Sequence, residues 1–439
     1  MIKKKIVYTI FIFFLVTIYL WFFLYNRANI SLYPSLYITN FVIFSISIIS
    51  LITSDRYNFS LNKIFFLFSI FFFGISPIIQ FQNSTVFWGG TFISPDTYFR
   101  LNLIIIFILL MYLFLYSLIK PVRKNKYIGH ENEYSVILML ILSILATSLI
   151  LIVFRFDFDS LLFRSESSSI AIENSSIELI FRTFIRPIPV ITLLLFKLSS
   201  KKNTLVEVVL ALLVLLTNFP TSNARFFIAA IYIPLLIMYL PVIKKKYLAL
   251  PIILLIALVY IFPLLNQARV VNSIYDFNFS LNFDAFNSGH YDSYQMFARV
   301  YDLNYISYGK QLISVILFFV PRSLWPAKSI GSGSLIASEY NFVYDNISMN
   351  FFGEGYINFG FAGILIFVFI LAYLTKKLDS KYWTSLKSNQ FASIYLFMVG
   401  LLIFILRGDL MSSFSYTVGL ILSIVFTNKI LRIKFKVKV

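Results

Sequence analysis

Apolar stretches long enough to cross a bilayer recur from one end of this chain to the other, and the connections between them alternate in the cation they carry. A helix needs roughly 20 residues to span the hydrocarbon core, and it satisfies its own backbone where no water can. Counted as two alternating sets, the connections and helix ends hold 21 Lys with 3 Arg in one set and 2 Lys with 11 Arg in the other. A drift in composition would move both sets alike, so the two sets do different work. Lysine serves as bulk positive charge on one side of a membrane. Arginine, on the other side, presents a planar fork suited to phosphate.

A mean hydropathy of +0.85 places the chain among polytopic membrane proteins. The net charge of +18 would suggest nucleic acid if it were spread evenly. It is not: the lysine-rich set carries 24 basic and 5 acidic residues, the arginine-rich set 13 and 14. The surplus is the positive-inside bias of an inner-membrane protein. It favours anionic lipid headgroups at the cytoplasmic face rather than a nucleic-acid partner. The sequence has no cysteine, which excludes disulfides, thiol catalysis and zinc–thiolate sites. Its only histidines are His130, which faces the cytoplasm in this topology, and His290. No metal and no cofactor is expected.

The pattern predicts an all-α polytopic membrane protein with about twelve spans, near 6–25, 37–53, 63–80, 101–119, 134–154, 178–198, 204–218, 224–241, 247–264, 357–375, 389–406 and 410–427. Both termini come out cytoplasmic. The first apolar run is too long for a signal peptide and lacks a small-residue cleavage site, so it reads as an uncleaved span. Three regions follow: nine spans in 1–264, one large periplasmic loop in 265–356, and three spans with a basic tail in 357–439. Gln311–Val320 is apolar but only ten residues long, and a crossing there would put Lys376, Lys377 and Lys381 on the wrong side. It reads as a re-entrant or interfacial helix. A loop of this length is usually functional.

Arg100, Arg182, Arg186 and Arg225 fall in or near the first turns of helices that enter from the arginine-rich side. A cation there opposes the helix dipole, whereas an anion is favoured by the free N–H groups and the guanidinium together. These positions suit a phosphate or pyrophosphate. Snorkelling to headgroups is the competing reading, but lysine snorkels as well and is nearly absent on this side. Arg186 lies about two turns into its span, where an unpartnered guanidinium costs on the order of 3 kcal/mol.

The long loop holds Arg269, Arg299, Tyr301, Asp302, Tyr308 and Lys310, then Pro321-Arg322-Ser323-Leu324-Trp325-Pro326-Ala327-Lys328. Two prolines stiffen this turn and keep Trp325 between two cations, an aromatic face for a sugar ring beside charge for phosphate. An interfacial tryptophan anchor would look the same. Gly353-Glu354-Gly355-Tyr356-Ile357-Asn358-Phe359-Gly360 opens the next span. Glu354 there either serves the helix dipole or acts as a general base at the membrane surface. The neighbouring glycines let a helix or substrate come close. His290, in Gly289-His290-Tyr291-Asp292, is a second candidate base. No Walker A motif, glycine-rich nucleotide fingerprint or paired metal-type carboxylate motif is present.

Pro321-Arg322 with Trp325-Pro326-x-Lys328, followed by Gly353-Glu354-x-Tyr356-x-Asn358-Phe359-Gly360, resembles the Wzy-type polymerases that join oligosaccharide repeat units in bacterial O-antigen synthesis. Ser222-Asn223-Ala224-Arg225 resembles that family's arginine-bearing segment, and Tyr308-Gly309-Lys310 also fits. Ser329 stands where the family often has proline. The resemblance implies a periplasmic glycosyltransferase with a fold similar to the O-antigen ligases (GT-C-like). Its partners would be undecaprenyl-pyrophosphate-linked oligosaccharides, membrane lipids and a chain-length regulator protein. The pyrophosphate is already an activated leaving group, so catalysis must mainly stabilise its departing charge. Arg225, Arg322 and Arg186 are the first candidates for that task, with Arg182, Arg269, Arg299 and Lys328 behind them. Trp325 and Tyr356 are candidate glycan contacts, Glu354 the first candidate base and His290 the second. A flippase for the same lipid-linked repeat and an O-antigen ligase are the rival readings.

Overall fold

The structure is a computed structural model that describes residues 16–17, 19–20, 27–122, 134–162, 172, 175–199, 202–221, 225–258, 286–384 and 388–433. Every regular element among them is helical. The chain is a multi-pass membrane protein. Among the described residues, eight helices are long and apolar enough to cross a membrane: α1 (Pro34–Thr53), α2 (Leu61–Gln82), α3 (Pro95–Leu118), α4 (Val136–Val153), α5 (Ile177–Leu198), α12 (Phe351–Thr384), α13 (Asn389–Arg407) and α14 (Leu410–Leu431). Two shorter apolar helices, α6 (Thr204–Thr217) and α7 (Arg225–Tyr239), lie where spans seven and eight are expected. The short α8 (Ala249–Ile256) begins the expected ninth span. Most of the expected first span and the end of the ninth lie outside the described residues.

Local chemistry sets the helix starts. Ser60, Ser94, Ser135, Asn203, Ser388 and Asp409 each accept a backbone N–H of the helix they precede, which satisfies donors that the first turn leaves free. Pro34 and Pro95 occupy first-turn positions where no N–H is needed. α2 is buried from Leu61 to Phe81. Its middle, Ser69–Ile75, is wound as a π-helix. Side chains add to the carbonyls of this winding: Asn40 Nδ2 donates to Phe73 O at 3.1 Å, and Ser76 Oγ to Phe71 O at 2.7 Å, where Ser76 N also donates.

Hydrogen bonds gather alternate connections at opposite ends of the bundle. At the lysine-rich end, Asn58 donates to Lys244 O, Val122 N to Ser380 Oγ, and Leu61 N and Asn62 N to the Asp379 carboxylate. There Lys63 pairs with Asp55, and Tyr395 donates to Asp379 at 2.6 Å. At the arginine-rich end, Gln80 donates to Phe286 O and Tyr291 O, and Trp88 Nε1 to Asp292.

The region read as one long loop is packed from residue 286 onward. It forms α9 (Ser293–Leu303), α10 (Lys310–Ile316) and α11 (Ser332–Glu339). α10 falls on the short apolar run of the sequence. α9 is buried from Ser293 to Val300, and Tyr294 reaches Asn102 of α3 at 2.8 Å.

α12 departs most from the expected span at 357–375. It starts at Phe351 and breaks at Phe359 and Gly360, where Gly360 has φ 60°. The two arms fold against each other. The Phe351 and Phe367 rings lie 4.9 Å apart, and Gly355 packs directly on the backbone of Gly363. In a straight helix, residues 16 apart would be separated by about 24 Å. Phe351–Asn358 is therefore a buried arm that runs antiparallel to the span it precedes. The glycines permit the contact, because a Cβ at Gly363 would overlap the Gly355 carbonyl. Backbone groups released at the break are taken up by the preceding segment: Ser307 N donates to Ile357 O at 2.7 Å and Gly309 N to Asn358 O at 3.1 Å.

Candidate active site at the arginine-rich end

Arg322 and Lys328 sit together in one compact turn. Trp325 N donates to Pro321 O, and Lys328 N to Trp325 O, which closes the backbone. Arg322 then crosses the turn and donates to Lys328 O at 2.6 Å and Ser329 O at 3.0 Å. Lys328 reaches back to Phe318 O at 2.7 Å and Val320 O at 2.9 Å. Each cation is held by neutral carbonyls, and among the described residues neither has a carboxylate partner. Partial burial, then the neighbouring Arg322, lower the Lys328 pKa from its ordinary value. Arg322 is exposed and Trp325 half-buried. The turn thus offers two positive groups and an indole at the surface.

Glu354 lies on the buried arm of α12 and has no exposed surface. Ser332 Oγ donates to one carboxylate oxygen at 2.7 Å and Leu410 N to the other at 2.9 Å. Asp409, beside it, caps α14 through Met411 N and Ser412 N and also accepts Gly333 N at 2.9 Å. Burial holds the Asp409 carboxyl above its ordinary pKa, against these N–H bonds. The two acids fasten the starts of α11 and α14 to the α12 arm.

His290 lies in a single 3-10 turn, Gly289–Tyr291. Arg407, the last residue of α13, holds that turn by donating to His290 O at 3.1 Å, Gly289 O at 2.7 Å and Asp292 Oδ1 at 2.9 Å. Asp292 is fully buried and also accepts Trp88 Nε1 and the Ser348 hydroxyl. The imidazole is half-buried beside this junction.

The remaining candidates reach separate partners. Arg186 is buried; its Nε donates to Thr217 O at 2.8 Å and its guanidinium stacks 5.4 Å from the Phe154 ring centre. Arg182 pairs with Glu178 at 2.6 Å on its own helix. Arg299 is buried against Thr91, to whose hydroxyl it donates at 2.9 Å, and against the Tyr340 ring. Burial lowers its pKa. Tyr356 is buried and donates to Asn304 Oδ1 at 2.8 Å. Arg225 opens α7; its side chain, like the whole of Arg269 and His130, lies outside the described residues.

Sequence reasoning gave no role to three residues at this end, although Asp302 stands among the polar residues of the long loop. Arg407 belongs to the arginine-rich set, yet nothing in its neighbourhood marks it as the clamp on residues 289–292. Asp409 is legible as a helix cap but not as the partner of Gly333. Asp302 is an exposed carboxylate to which the Thr97 hydroxyl donates at 3.0 Å. Partial burial raises its pKa, with Thr97 and Arg299 opposing.

No curated protein and no solved structure matches the chain. The model of the O-antigen polysaccharide polymerase Wzy family matches residues 5–437. With nearly the whole length covered and a helical bundle of membrane-spanning length, this chain belongs to the O-antigen polysaccharide polymerase Wzy family and acts as a polymerase in O-antigen synthesis.

Proposed function

We propose that the chain polymerises undecaprenyl-pyrophosphate-linked repeat units at the periplasmic face of the inner membrane. A hydroxyl at the non-reducing end of one lipid-linked repeat attacks the anomeric carbon of a second lipid-linked chain. The new glycosidic C–O bond forms as the carbon–oxygen bond to the pyrophosphate breaks. Undecaprenyl pyrophosphate leaves with that electron pair, and the hydroxyl proton passes to a base on the protein. Charge builds up on the departing pyrophosphate, so preorganised cations contribute most.

The observation that carries this reading is the 321–329 turn. Arg322 and Lys328 are fixed there by backbone carbonyls, and neither is ion-paired to a carboxylate among the described residues. Lysine would not replace Arg322, because an ammonium, even one bonded to two carbonyls as at Lys328, has no planar edge to present to phosphate. Arg225 and Arg269 complete the proposed anion set. Arg182, Arg186 and Arg299 act through the protein groups they already hold. Glu354 is engaged at both oxygens and positions α11 and α14. We take half-buried His290 as the first candidate base and the exposed Asp302 carboxylate as the second.

The test is lipopolysaccharide ladder formation in a deletion strain. Deletion should leave a core capped by one repeat and no ladder. Complementation with Arg322→Lys should lower polymerisation by on the order of ten-fold or more, at unchanged protein level. A full ladder from Arg322→Lys removes the pyrophosphate role of this turn. Loss of the single capped repeat on deletion points to a flippase or a ligase instead.

A further inference from the structure

α10 and the residues after it are inside out for a segment in water. The exposed positions are Lys310, Ile313, Ile316 and Leu317, which recur at helical spacing, and Phe319 and Leu324 follow. Phe319 is 65% and Leu324 79% exposed. The positions turned inward include Gln311 and Ser314, and Ser314 Oγ accepts Ser329 N at 3.0 Å. A helix at a water boundary buries its apolar stripe and exposes its polar one. This one turns Gln311 and Ser314 inward together with Val315, and turns Ile313, Ile316 and Leu317 outward, which suits a helix whose outer face meets hydrocarbon.

Three further observations name what covers that face. First, it continues onto a span. Gly309 packs against the Phe359 ring, and past the break Phe361, Leu365 and Ile366 of α12 are exposed in turn. Second, its charge has one sign. Residues 303–338 contain Lys310, Arg322 and Lys328 and no Asp or Glu, so it complements a phosphate surface rather than a mixed-charge protein surface. Third, half-buried Trp325 stands between those cations, at a place where indole marks the boundary between headgroups and acyl chains.

We propose that residues 310–325 form a half-immersed platform in the bilayer leaflet at the arginine-rich end. The platform is occupied by lipid: acyl chains lie against Ile313, Ile316, Leu317, Phe319 and Leu324, and headgroup phosphates meet Lys310, Arg322 and Lys328. Where the proposed function holds, it follows that a lipid-borne diphosphate reaches Arg322 sideways from the leaflet and not from bulk water.

The natural chain lacks cysteine, so single reporters can be placed in the full-length protein. Ile316→Cys, Phe319→Cys and Leu324→Cys, with Val343→Cys as the water-exposed control at 91% exposure, would be labelled with bimane. The proteins would then be reconstituted in nanodiscs of phosphatidylglycerol and phosphatidylethanolamine. Brominated acyl chains should quench the three platform labels several-fold more strongly than they quench residue 343, and aqueous iodide should show the opposite order. Iodide quenching of the platform labels equal to that of residue 343 would overturn the proposal. So would shielding from both quenchers, which would mean that protein, such as a second copy, covers the face. Neither outcome depends on polymerisation, so this test and the Arg322→Lys ladder can fail separately.

Discussion

Arg186 shows how one side chain can be read two ways until its partners are known. From the sequence it is a guanidinium two turns into a span, and such a group needs a carbonyl, an anion or a cavity. In the structure it holds Thr217 O at the end of α6 and stacks on Phe154 after α4, joining three helices. Arg186→Lys keeps the charge but not the side-on Nε bond. It should therefore destabilise the folded protein by about 1–3 kcal/mol, with ladder output per folded molecule unchanged. A lost ladder at unchanged melting temperature would instead put this guanidinium on substrate. Asp409 allows a second residue-scale prediction. Its pKa is raised by burial, so the folded state takes up this proton before the unfolded state does. Its contribution to stability is then fully present below the unfolded value and is lost as pH rises through the folded one. Asp409→Asn cannot titrate, so the melting-temperature advantage of wild type over the variant should grow in detergent as pH falls from 8 toward the ordinary aspartate range. A gap that widens toward pH 8 would contradict the burial argument.

At the scale of the element, the α12 hairpin is what brings Glu354, Tyr356 and Asn358 into the bundle. Its reversal depends on two glycines for different reasons. Gly360 takes the positive φ of the break, and Gly363 leaves room for the returning arm. Gly363→Ala should cost on the order of 1–3 kcal/mol by forcing the arms apart. The loss would appear as a lower melting temperature and, by moving Glu354 off Ser332 and Leu410, as proteolytic opening near α11. An unchanged melting temperature would mean that the arms do not touch. This is also where the sequence stopped being informative. Spans were legible from local hydropathy, though not every start: α6 begins at 204 as expected, whereas α3, capped by Ser94, begins at Pro95 and not at 101. The apolar run at 311–320 was legible as a short helix for the same reason. The hairpin was not, since Phe351–Thr384 carries apolar residues on both sides of Gly360, and a continuous span reads the same. The buried partners of Arg299 and Arg407 could not be read either. Thr91 and Gly289 are about 208 and 118 positions away along the chain, and no local pattern records a contact at that distance.

For the whole molecule, the sorting of lysine from arginine has a structural counterpart in two polar junctions. Asp55, Lys63, Asp379 and Tyr395 tie the lysine-rich connections together. Trp88, Asp292, Arg407 and Ser348 tie the arginine-rich ones. Each is assembled from segments far apart in sequence, so a change in orientation of one span would break both. The orientation therefore behaves as a property of the whole bundle, and the charge bias predicts its direction: lysine toward the cytoplasm, arginine toward the periplasm. Lys245 is exposed at one end and Val343 at the other. In spheroplasts, a membrane-impermeant maleimide should label Val343→Cys at once and Lys245→Cys only after lysis. Labelling of Lys245→Cys before lysis would invert the molecule. It would place Arg322 and Lys328 at the cytoplasmic face, where the proposed polymerisation of lipid-linked repeats on the periplasmic side could not use them.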